Sequence, residues 1–308
     1  MRKSKLYAPA YYRDFVCIAD KCRHTCCVGW EIDVDNDTYE RYKACTDGYG
    51  AHICETIDTA DGETPHFRLC AGDRCPHLAS NGLCNIITEL GDEYLCDICR
   101  EHPRFYHETP FGMEVGLGMA CEEACRLILE SDEYAHFEAI EDLGDSISDG
   151  IYRDFDALAH RADLYATLSD RSLPYPERLA RIRASWRVSP AALSDEAWQK
   201  AFAELEYLDD RHRTLFSHYS SHVGHTSPAQ DAIQERALAY FIFRHASPAR
   251  DERDFRAAVG FSLLCERLLA SIADRTDGGI REAARIISEE LEYSEENTEA
   301  LMRIFNEY

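Results

Sequence analysis

Cysteines are concentrated in the first part of this chain. Of the 14 cysteines in 308 residues, 13 lie between Cys17 and Cys125. They begin with a closely spaced run, Cys17-x4-Cys22-x3-Cys26-Cys27. Thiolates are soft ligands that select zinc or iron–sulfur clusters over magnesium or calcium, which prefer oxygen. The run therefore predicts a metal site.

The later cysteines bear on which metal that site holds. They include two single residues and two short motifs: Cys75, Cys84, Cys96-x2-Cys99 and Cys121-x3-Cys125. A tetrahedral zinc site is usually marked by two pairs with two-residue spacing, and here only Cys96 and Cys99 have that spacing. Looser ligand spacing is typical of iron–sulfur proteins. The spacing favours an iron–sulfur cluster and leaves zinc as the alternative metal.

The chain is strongly acidic, with a formal net charge of -24 at pH 7. Because nucleic-acid binding draws its affinity from clustered Lys and Arg, we expect no nucleic-acid partner. The basic first residues are not followed by the apolar segment of a secretory signal. No run of about 18 or more apolar residues is present, so we expect no membrane partner. The sequence predicts a cytoplasmic protein whose thiols are kept reduced.

The pattern of elements divides the chain into two regions. Residues 1–135 mix Cys, Gly, Pro and aromatic residues with short helical patterns, whereas residues 136–308 are almost uniformly helical in period. The predicted fold class is mainly α, with a cysteine-rich metal-binding region containing short strands and an all-helical C-terminal region. The strand candidates are residues 31–34 and 113–118.

Three helices are predicted in the first region. Asp35 and Asp37 precede one of them and would lie near the positive end of its dipole. The second is predicted over residues 86–99. The third covers about residues 121–130.

In the second region, three Ser-Pro pairs mark helix starts. They begin at Ser189, Ser227 and Ser247, and each predicts Ser as N-cap with Pro at the first helical position. Two apolar patterns with helical spacing predict long helices, one through residues 233–242 and one through residues 255–272.

The order of the motifs in the first region resembles a known family. The strings are, in order, FVCIADKCRHTCCVGWEIDVDNDTYERY, CPHL, LCNIITELGDEYL, CREHPRFY and MACEEACRLIL. They cover about residues 11–130 and resemble the flagellin lysine-N-methylase family, which is related more distantly to zinc- or iron-chelating cysteine-cluster domains. The helical remainder, with AYFIFRH, is similar to the C-terminal part of that family.

The resemblance implies both a metal group and a reaction. It implies an iron–sulfur cluster of the 4Fe–4S type and transfer of methyl groups from S-adenosylmethionine to lysines of flagellin. Carried over by position, the implied ligands are Cys17, Cys22, Cys26, Cys27, Cys75, Cys84, Cys99 and Cys121. Eight thiols exceed the four that one cluster needs, which leaves open a second metal site. The alternative function is a non-catalytic zinc- or iron–sulfur-binding scaffold or an electron-transfer module.

The resemblance also singles out six residues around the cysteines. Asp33, Arg104 and Glu123 are expected in catalysis, and Trp30, Tyr39 and Arg126 in cofactor binding. A lysine amine must lose its proton before it attacks a methyl group, so Asp33, Glu123 or a tyrosine is expected to act as the base. Arg104 would offset thiolate charge or bind a carboxylate. Cys96 and Cys125 are additions to the family pattern.

Overall fold

The computed structural model describes residues 4–46, 48–60, 64–144, 155–222 and 227–307. Helices dominate, short strands are interspersed through the cysteine-rich part, and the C-terminal part is mostly helical. The predicted fold class is thereby confirmed. No helix within these described ranges has both the length and the apolar character needed to cross a membrane.

The described strands are β1 Ser4–Pro9, β2 Ile57–Asp58, β3 His66–Phe67, β4 Arg104–Thr109, β5 Gly112–Leu117 and β6 Phe137–Gly144. The described α-helices are α1 Asn36–Ala44, α2 Gly50–Ile53, α3 Asn85–Leu90, α4 Asp97–Glu101, α5 Glu122–Glu130, α6 Ala157–Leu168, α7 Tyr175–Trp186, α8 Asp195–Ala203, α9 Asp210–Phe216, α10 Pro228–Ala246, α11 Glu252–Ile272, α12 Gly279–Ile287 and α13 Glu295–Glu307. Short 3-10 helices cover Ala10–Asp14, Ala19–Lys21, Cys54–Thr56, Asp92–Tyr94, Pro190–Ala192 and Ala273–Arg275, and one π-helical turn covers Ser288–Glu292.

The described residues form two compact units. The first, called here the cysteine unit, lies within Val16–Phe105 and Cys121–Glu123. The second, called the helical unit, lies within Met1–Phe15, Tyr106–Ala120 and Ala124–Tyr308. These units cut across the predicted regions 1–135 and 136–308, because strands near the start of the chain pair with strands that come much later.

A four-stranded sheet in the order β4-β5-β1-β6 joins distant parts of the chain. β1 runs parallel to β5, with Lys5 opposite Gly112, and antiparallel to β6. Gly112 has a φ of +141°, and a Cβ there would lie 2.0 Å from the Lys5 backbone oxygen. This close approach requires glycine. Strand β6 adds β structure at the start of the region predicted to be all-helical.

Both long helices of the helical unit are present, and the first of them begins where it was predicted to begin. Ser227 caps α10 through a capping box with Gln230, and Pro228 is its first residue. α10 and α11 contain both of the long apolar patterns and bury most of their side chains. The prediction at Ser247 was wrong: Ser247 ends α10, and α11 begins after Asp251, whose side chain accepts from the Asp254 N–H.

The cysteine unit is built from short elements around its own hydrophobic core. Ile32, Val34, Tyr42, Ile53 and Phe67 are among its buried residues. Helix α1 starts as predicted, because the Asp35 side chain accepts a hydrogen bond from Thr38 N. Burial alone would raise the pKa of Asp35, but backbone N–H groups of Asp97 and Thr38 lower it below its ordinary value.

The single helix predicted over residues 86–99 was wrong. α3 ends at Leu90, a 3-10 turn follows, and α4 begins only at Asp97. Gly91 lies between them with a φ of +106°, a conformation that ends an α-helix and that glycine adopts without a Cβ clash. The break gives Cys96 the N-cap position of α4.

Candidate metal centre

Backbone pairing brings two cysteine segments together in the cysteine unit. Cys75 N donates to the Cys27 backbone oxygen at 2.8 Å, and Gly29 N donates to that of Asp73 at 2.9 Å. Val28 and Arg74 form an isolated antiparallel bridge between these bonds. The first cysteine run is thus held against the segment that carries Cys75.

Six thiols lie in or against the hydrophobic core of this unit. The Cys54 thiol interacts with that of Cys45, and we call the other five the inner thiol set. Cys75 and Cys96 are fully buried, and the other three are half-buried against the same core. The members are Cys27, Cys75, Cys84, Cys96 and Cys99. Cys84 precedes α3 as its N-cap, and Cys96 and Cys99 come from the first turn of α4.

Backbone N–H groups point at three sulfurs of the inner thiol set. The Cys75 sulfur accepts from the His77 N–H, and the Cys96 sulfur from the Cys99 N–H. The Cys84 sulfur accepts from two amides of α3. Such bonds stabilise thiolates and are among the features that tune iron–sulfur sites.

The members of the inner thiol set also affect one another's pKa. Burial, with smaller contributions from the thiols of Cys27, Cys84 and Cys96, raises the pKa of Cys75 to about 12, against the lowering effect of the His77 N–H. The hydrogen bond to Cys96 raises the pKa of Cys99, and burial and the Cys27 and Cys75 thiols add to the effect. Thiols that raise one another's pKa in this way interact electrostatically, and a bound cation would reverse the effect.

Four further cysteines, called the outer thiol set, lie outside that core. Cys17 and Cys26 are exposed, and Cys22 and Cys121 are half-buried. Burial raises the pKa of Cys22 to about 11, with contributions from Glu122, Cys121 and Cys17. The Cys17 and Cys121 thiols also raise the pKa of Cys26, after its hydrogen bond with Cys27 and burial. The outer thiols therefore interact electrostatically with one another.

Glu122 fixes the position of Cys121 beside the first cysteine run. Its carboxylate accepts from Arg23 N at 2.8 Å and from Arg23 Nε at 2.9 Å. Its Oε2 lies 3.8 Å from Cys22 Sγ. Burial would raise the pKa of Glu122, but the two hydrogen bonds from Arg23 lower it below its ordinary value. The outer thiols therefore meet an ionised carboxylate.

The two sets meet at one adjacent pair. Cys26 and Cys27 share a side-chain hydrogen bond, which lowers the pKa of Cys27. Hydrogen bonding from Thr25 and the positive charge of Arg74 act in the same direction, against burial. Arg74 is held in place because it donates to the backbone oxygens of Leu78 and Ala79, each at 2.8 Å.

The spacing of the donor atoms bears on which metal group fits. A single zinc ion bound at about 2.3 Å by tetrahedral thiolates requires sulfurs about 3.8 Å apart. In the described part of the chain, no three cysteine sulfurs all lie within 4.8 Å of one another. The donors are all thiols and are more widely spaced than a single zinc ion requires. This arrangement suits a metal group of several atoms.

One carboxylate–histidine group in the helical unit does have closely spaced donors. His212, Glu289 and Glu290 each offer an atom within 4.8 Å of the others. The Glu290 carboxylate already accepts from the Leu208 and Asp209 N–H groups and contacts His212 at 2.5 Å. These bonds fix the start of α9, which gives the group a structural role.

The predicted catalytic residues occupy different environments in the cysteine unit. Asp33 is exposed, in an isolated bridge opposite His66. Glu123 is half-buried in the first turn of α5. Arg104 is half-buried and donates to the Arg100 backbone oxygen at 3.3 Å. Their proposed roles stay predictions.

The predicted cofactor residues fall in both units. Trp30 and Tyr39 are half-buried in the cysteine unit, and Tyr39 packs against its core. Arg126 belongs to the helical unit, where it pairs with Glu130 at 2.6 Å and lines a cavity of about 450 Å³ with Tyr11 and Asp14. Cofactor binding by these residues also stays a prediction.

Several residues that the structure places at the thiols were not predicted from the sequence. Arg74 and Glu122 carry charge beside the thiol sets, and Cys96 is a full member of the inner thiol set although it is an addition to the family pattern. The two-residue spacing of Cys96 and Cys99 was the available signal. For Arg74 and Glu122 no spacing rule gives a signal, since their role depends on tertiary contacts.

His77 packs against Phe67 in the core of the cysteine unit. It is buried, and its Nδ1 and Nε2 lie 2.7 Å from Tyr49 Oη and 3.0 Å from Thr56 Oγ1. Burial lowers the pKa of His77 to about 4. Both ring nitrogens therefore form hydrogen bonds within the cysteine unit.

Fold and site together define a mainly α protein with a cysteine-rich unit and a thiol-based candidate metal centre. Curated proteins from Salmonella are similar to part of it. Two of them, named lysine-N-methylase, from Salmonella choleraesuis (strain SC-B67) and Salmonella typhimurium (strain LT2), are each 28% identical over 138 residues, or 43% of this chain and 34% of theirs. The flagellar biosynthetic protein FliU of Salmonella muenchen is 27% identical over 138 residues and is covered to 82%.

These matches confirm the resemblance to the flagellin lysine-N-methylase family. The matched segment spans about a third of the length of the two lysine-N-methylases. No family model matches the chain. No solved structure matches it either.

Proposed function

We propose that this chain is a protein-lysine N-methyltransferase that uses S-adenosylmethionine, acts on flagellin and carries an iron–sulfur cluster of the 4Fe–4S type in its cysteine unit. The observation that carries the proposal is the similarity to curated proteins named lysine-N-methylase and to a flagellar protein. The grouped, widely spaced thiols support the cluster.

The reaction is a displacement at a methyl carbon. The lysine Nζ attacks the sulfonium methyl group of S-adenosylmethionine, the carbon–nitrogen bond forms, and the carbon–sulfur bond breaks to release S-adenosylhomocysteine. The amine reacts only when neutral, so a base must take its proton. Asp33 and Glu123 are the carboxylates assigned to this role, and exposed Asp33 is open to a protein substrate.

The chain's own residues would hold the metal group and bind the donor. The inner thiol set supplies sulfur ligands in a shielded core, with backbone N–H groups already directed at three of the sulfurs. When bound, an iron–sulfur cluster supplies positive charge and structural cross-links at these thiols. Trp30 and Tyr39 are assigned to donor binding in the same unit, and Arg104 is assigned to its carboxylate.

A direct experiment tests methyl transfer. The full chain, purified without oxygen, is incubated with S-adenosylmethionine and unmodified flagellin, and the lysines are examined by peptide mass spectrometry. We expect methylated lysines with the native chain and with Cys70→Ser, a matched control at an exposed cysteine outside both thiol sets. We expect strongly reduced methylation with Cys99→Ser.

The alternative is a metal-binding scaffold without catalysis. The membership of the inner thiols in the hydrophobic core favours it, since a metal there would also stabilise the fold. A chain that binds metal but leaves flagellin lysines unmodified under reducing conditions would establish the scaffold and refute the methyltransferase. Iron, sulfide and zinc analysis of the same sample separates the two metals.

A further inference from the structure

We propose that the thiols hold two separate metal groups, one bound by the inner thiol set and one by the outer thiol set, with the division falling between the adjacent residues Cys26 and Cys27. The inference rests on the metal-binding part of the proposed function. It does not depend on methyl transfer.

The number of thiols is the first argument. One metal group of the iron–sulfur or zinc type uses four protein ligands. The two sets contain nine cysteines, five inner and four outer, so a single group would leave five thiols unused. Two of these outer thiols, Cys17 and Cys26, are exposed, where unprotected thiols oxidise readily. A second group would use all four outer thiols.

The surroundings of the two sets are the second argument. The inner thiols are packed into the hydrophobic core of the cysteine unit together with Val34 and Phe67. The outer thiols lie outside this core, beside the Glu122 carboxylate and the Arg23 guanidinium. The two sets therefore differ in solvent access and in nearby charge. Ligands taken from both sets would not form a single four-ligand site.

The arrangement at the junction is the third argument. The Cys27 backbone is pinned to Cys75 by a 2.8 Å hydrogen bond, which directs Cys27 to the inner thiol set. Cys26, one residue earlier, is exposed and lies outside the hydrophobic core that holds Cys27. The adjacent residues Cys26 and Cys27 are thus assigned to different metal groups. At this point a single peptide bond separates a ligand of one group from a ligand of the other.

Metal analysis of variants of the full chain tests this division. The chain is purified without oxygen, and iron, sulfide and zinc per chain are measured with absorption and electron paramagnetic resonance spectra. We expect enough metal for two groups in the native chain and in the control Cys70→Ser. Cys121→Ser and Cys17→Ser should each lose the metal of the outer thiol set and keep the spectrum of the inner group. Cys99→Ser should lose the metal of the inner thiol set and keep the spectrum of the outer group.

Timed removal of metal from the native chain gives a second test that needs no variant. A chelator should remove metal in two phases, a fast one from the exposed outer thiol set and a slow one from the buried inner thiol set. Analysis of the fraction lost first, for iron, sulfide and zinc, identifies the outer metal. Single-phase removal would overturn the inference.

Three other outcomes would also overturn it. They are metal sufficient for one group only in the native chain, unchanged metal in Cys121→Ser, and complete loss of metal from folded Cys121→Ser as judged by circular dichroism. These outcomes are distinct from failure of the proposed function, because metal content is measured without S-adenosylmethionine or flagellin. A chain with one metal group that methylates flagellin would refute only the two-group inference.

Discussion

At the scale of single residues, charge beside a thiol governs its readiness to bind metal. The hydrogen bond with Cys26 lowers the pKa of Cys27 most, and the guanidinium of Arg74, which two backbone oxygens hold in place, lowers it further by a smaller amount. Metal ligation requires the thiolate, so a fixed cation at this position favours ligation by Cys27. Glu122 has the opposite effect on Cys22.

The two carboxylates assigned as base candidates give a residue-scale prediction. Asp33→Asn or Glu123→Gln should lower the rate of flagellin lysine methylation by about 100- to 10,000-fold, since a positioned base contributes about that much. The measurement is the initial methylation rate, with metal content determined on the same samples. Unchanged rates in both variants would exclude both residues as the base.

His107 gives a prediction about pH in the helical unit. Burial lowers the pKa of His107 to about 3, and the nearby His245 and Arg244 add to the effect. An unfolded histidine titrates near about 6.5, so between these values the unfolded chain binds the extra proton and stability falls as pH falls. The free energy of unfolding therefore decreases through His107 only as the pH falls below about 6.5.

The test compares the native chain with His107→Phe, which keeps an aromatic ring against Phe243. Free energies of unfolding in urea are measured between about pH 7 and about pH 4.5. The native chain should lose more stability over this range than the variant. Parallel curves would show that His107 does not contribute the expected pH dependence.

At the scale of elements, the pairing of β1 with β5 depends on a close contact between their backbones. Gly112→Ala would place a Cβ 2.0 Å from the Lys5 backbone oxygen at a φ of +141°. We expect a loss of at least about 2 kcal/mol in the free energy of unfolding, from the clash and the strain together. Urea unfolding followed by circular dichroism measures it.

Gly144→Ala is the matched control for this change. Gly144 also has a positive φ, +78°, but no heavy atom of the described residues lies within 4 Å of a Cβ built there. Strain alone should then cost about 1–2 kcal/mol. Equal losses in the two variants would contradict the role given to the close contact at Gly112.

Element prediction from this sequence succeeded where the signal was local. Capping by Asp35 and Ser227 and the apolar spacing of α10 and α11 depend on neighbours along the chain. Strand β1 was not predicted, because its partners lie more than 100 residues away. The thiols could be selected as ligands from the sequence, but their division into two sets depends on tertiary packing and could not.

At the scale of the whole molecule, a buried ion pair secures the helical unit independently of the thiols. Arg161 makes two 2.7 Å bonds to the Glu114 carboxylate and one of 2.6 Å to Ser247. Arg161→Met should destabilise this unit by about 3–5 kcal/mol, because it leaves the Glu114 charge buried without its partner. Metal content should not change.

Tryptophan fluorescence during urea unfolding checks this prediction, since Trp186 and Trp198 both lie in the helical unit. The control Arg211→Met breaks an exposed ion pair with Asp209 and should cost less than about 1 kcal/mol. If Arg161→Met unfolded like the control, Arg161 would not be a principal support of the unit.

The dependence of methylation on metal content tests methyl transfer and the metal centre together. Preparations of the full chain with graded metal content, from chelator-treated to reconstituted, are assayed with S-adenosylmethionine and flagellin, and methylated lysines are counted by mass spectrometry. We predict that methylation rises with metal content. Full methylation by folded, metal-free chain, or no methylation by any preparation, would contradict the account.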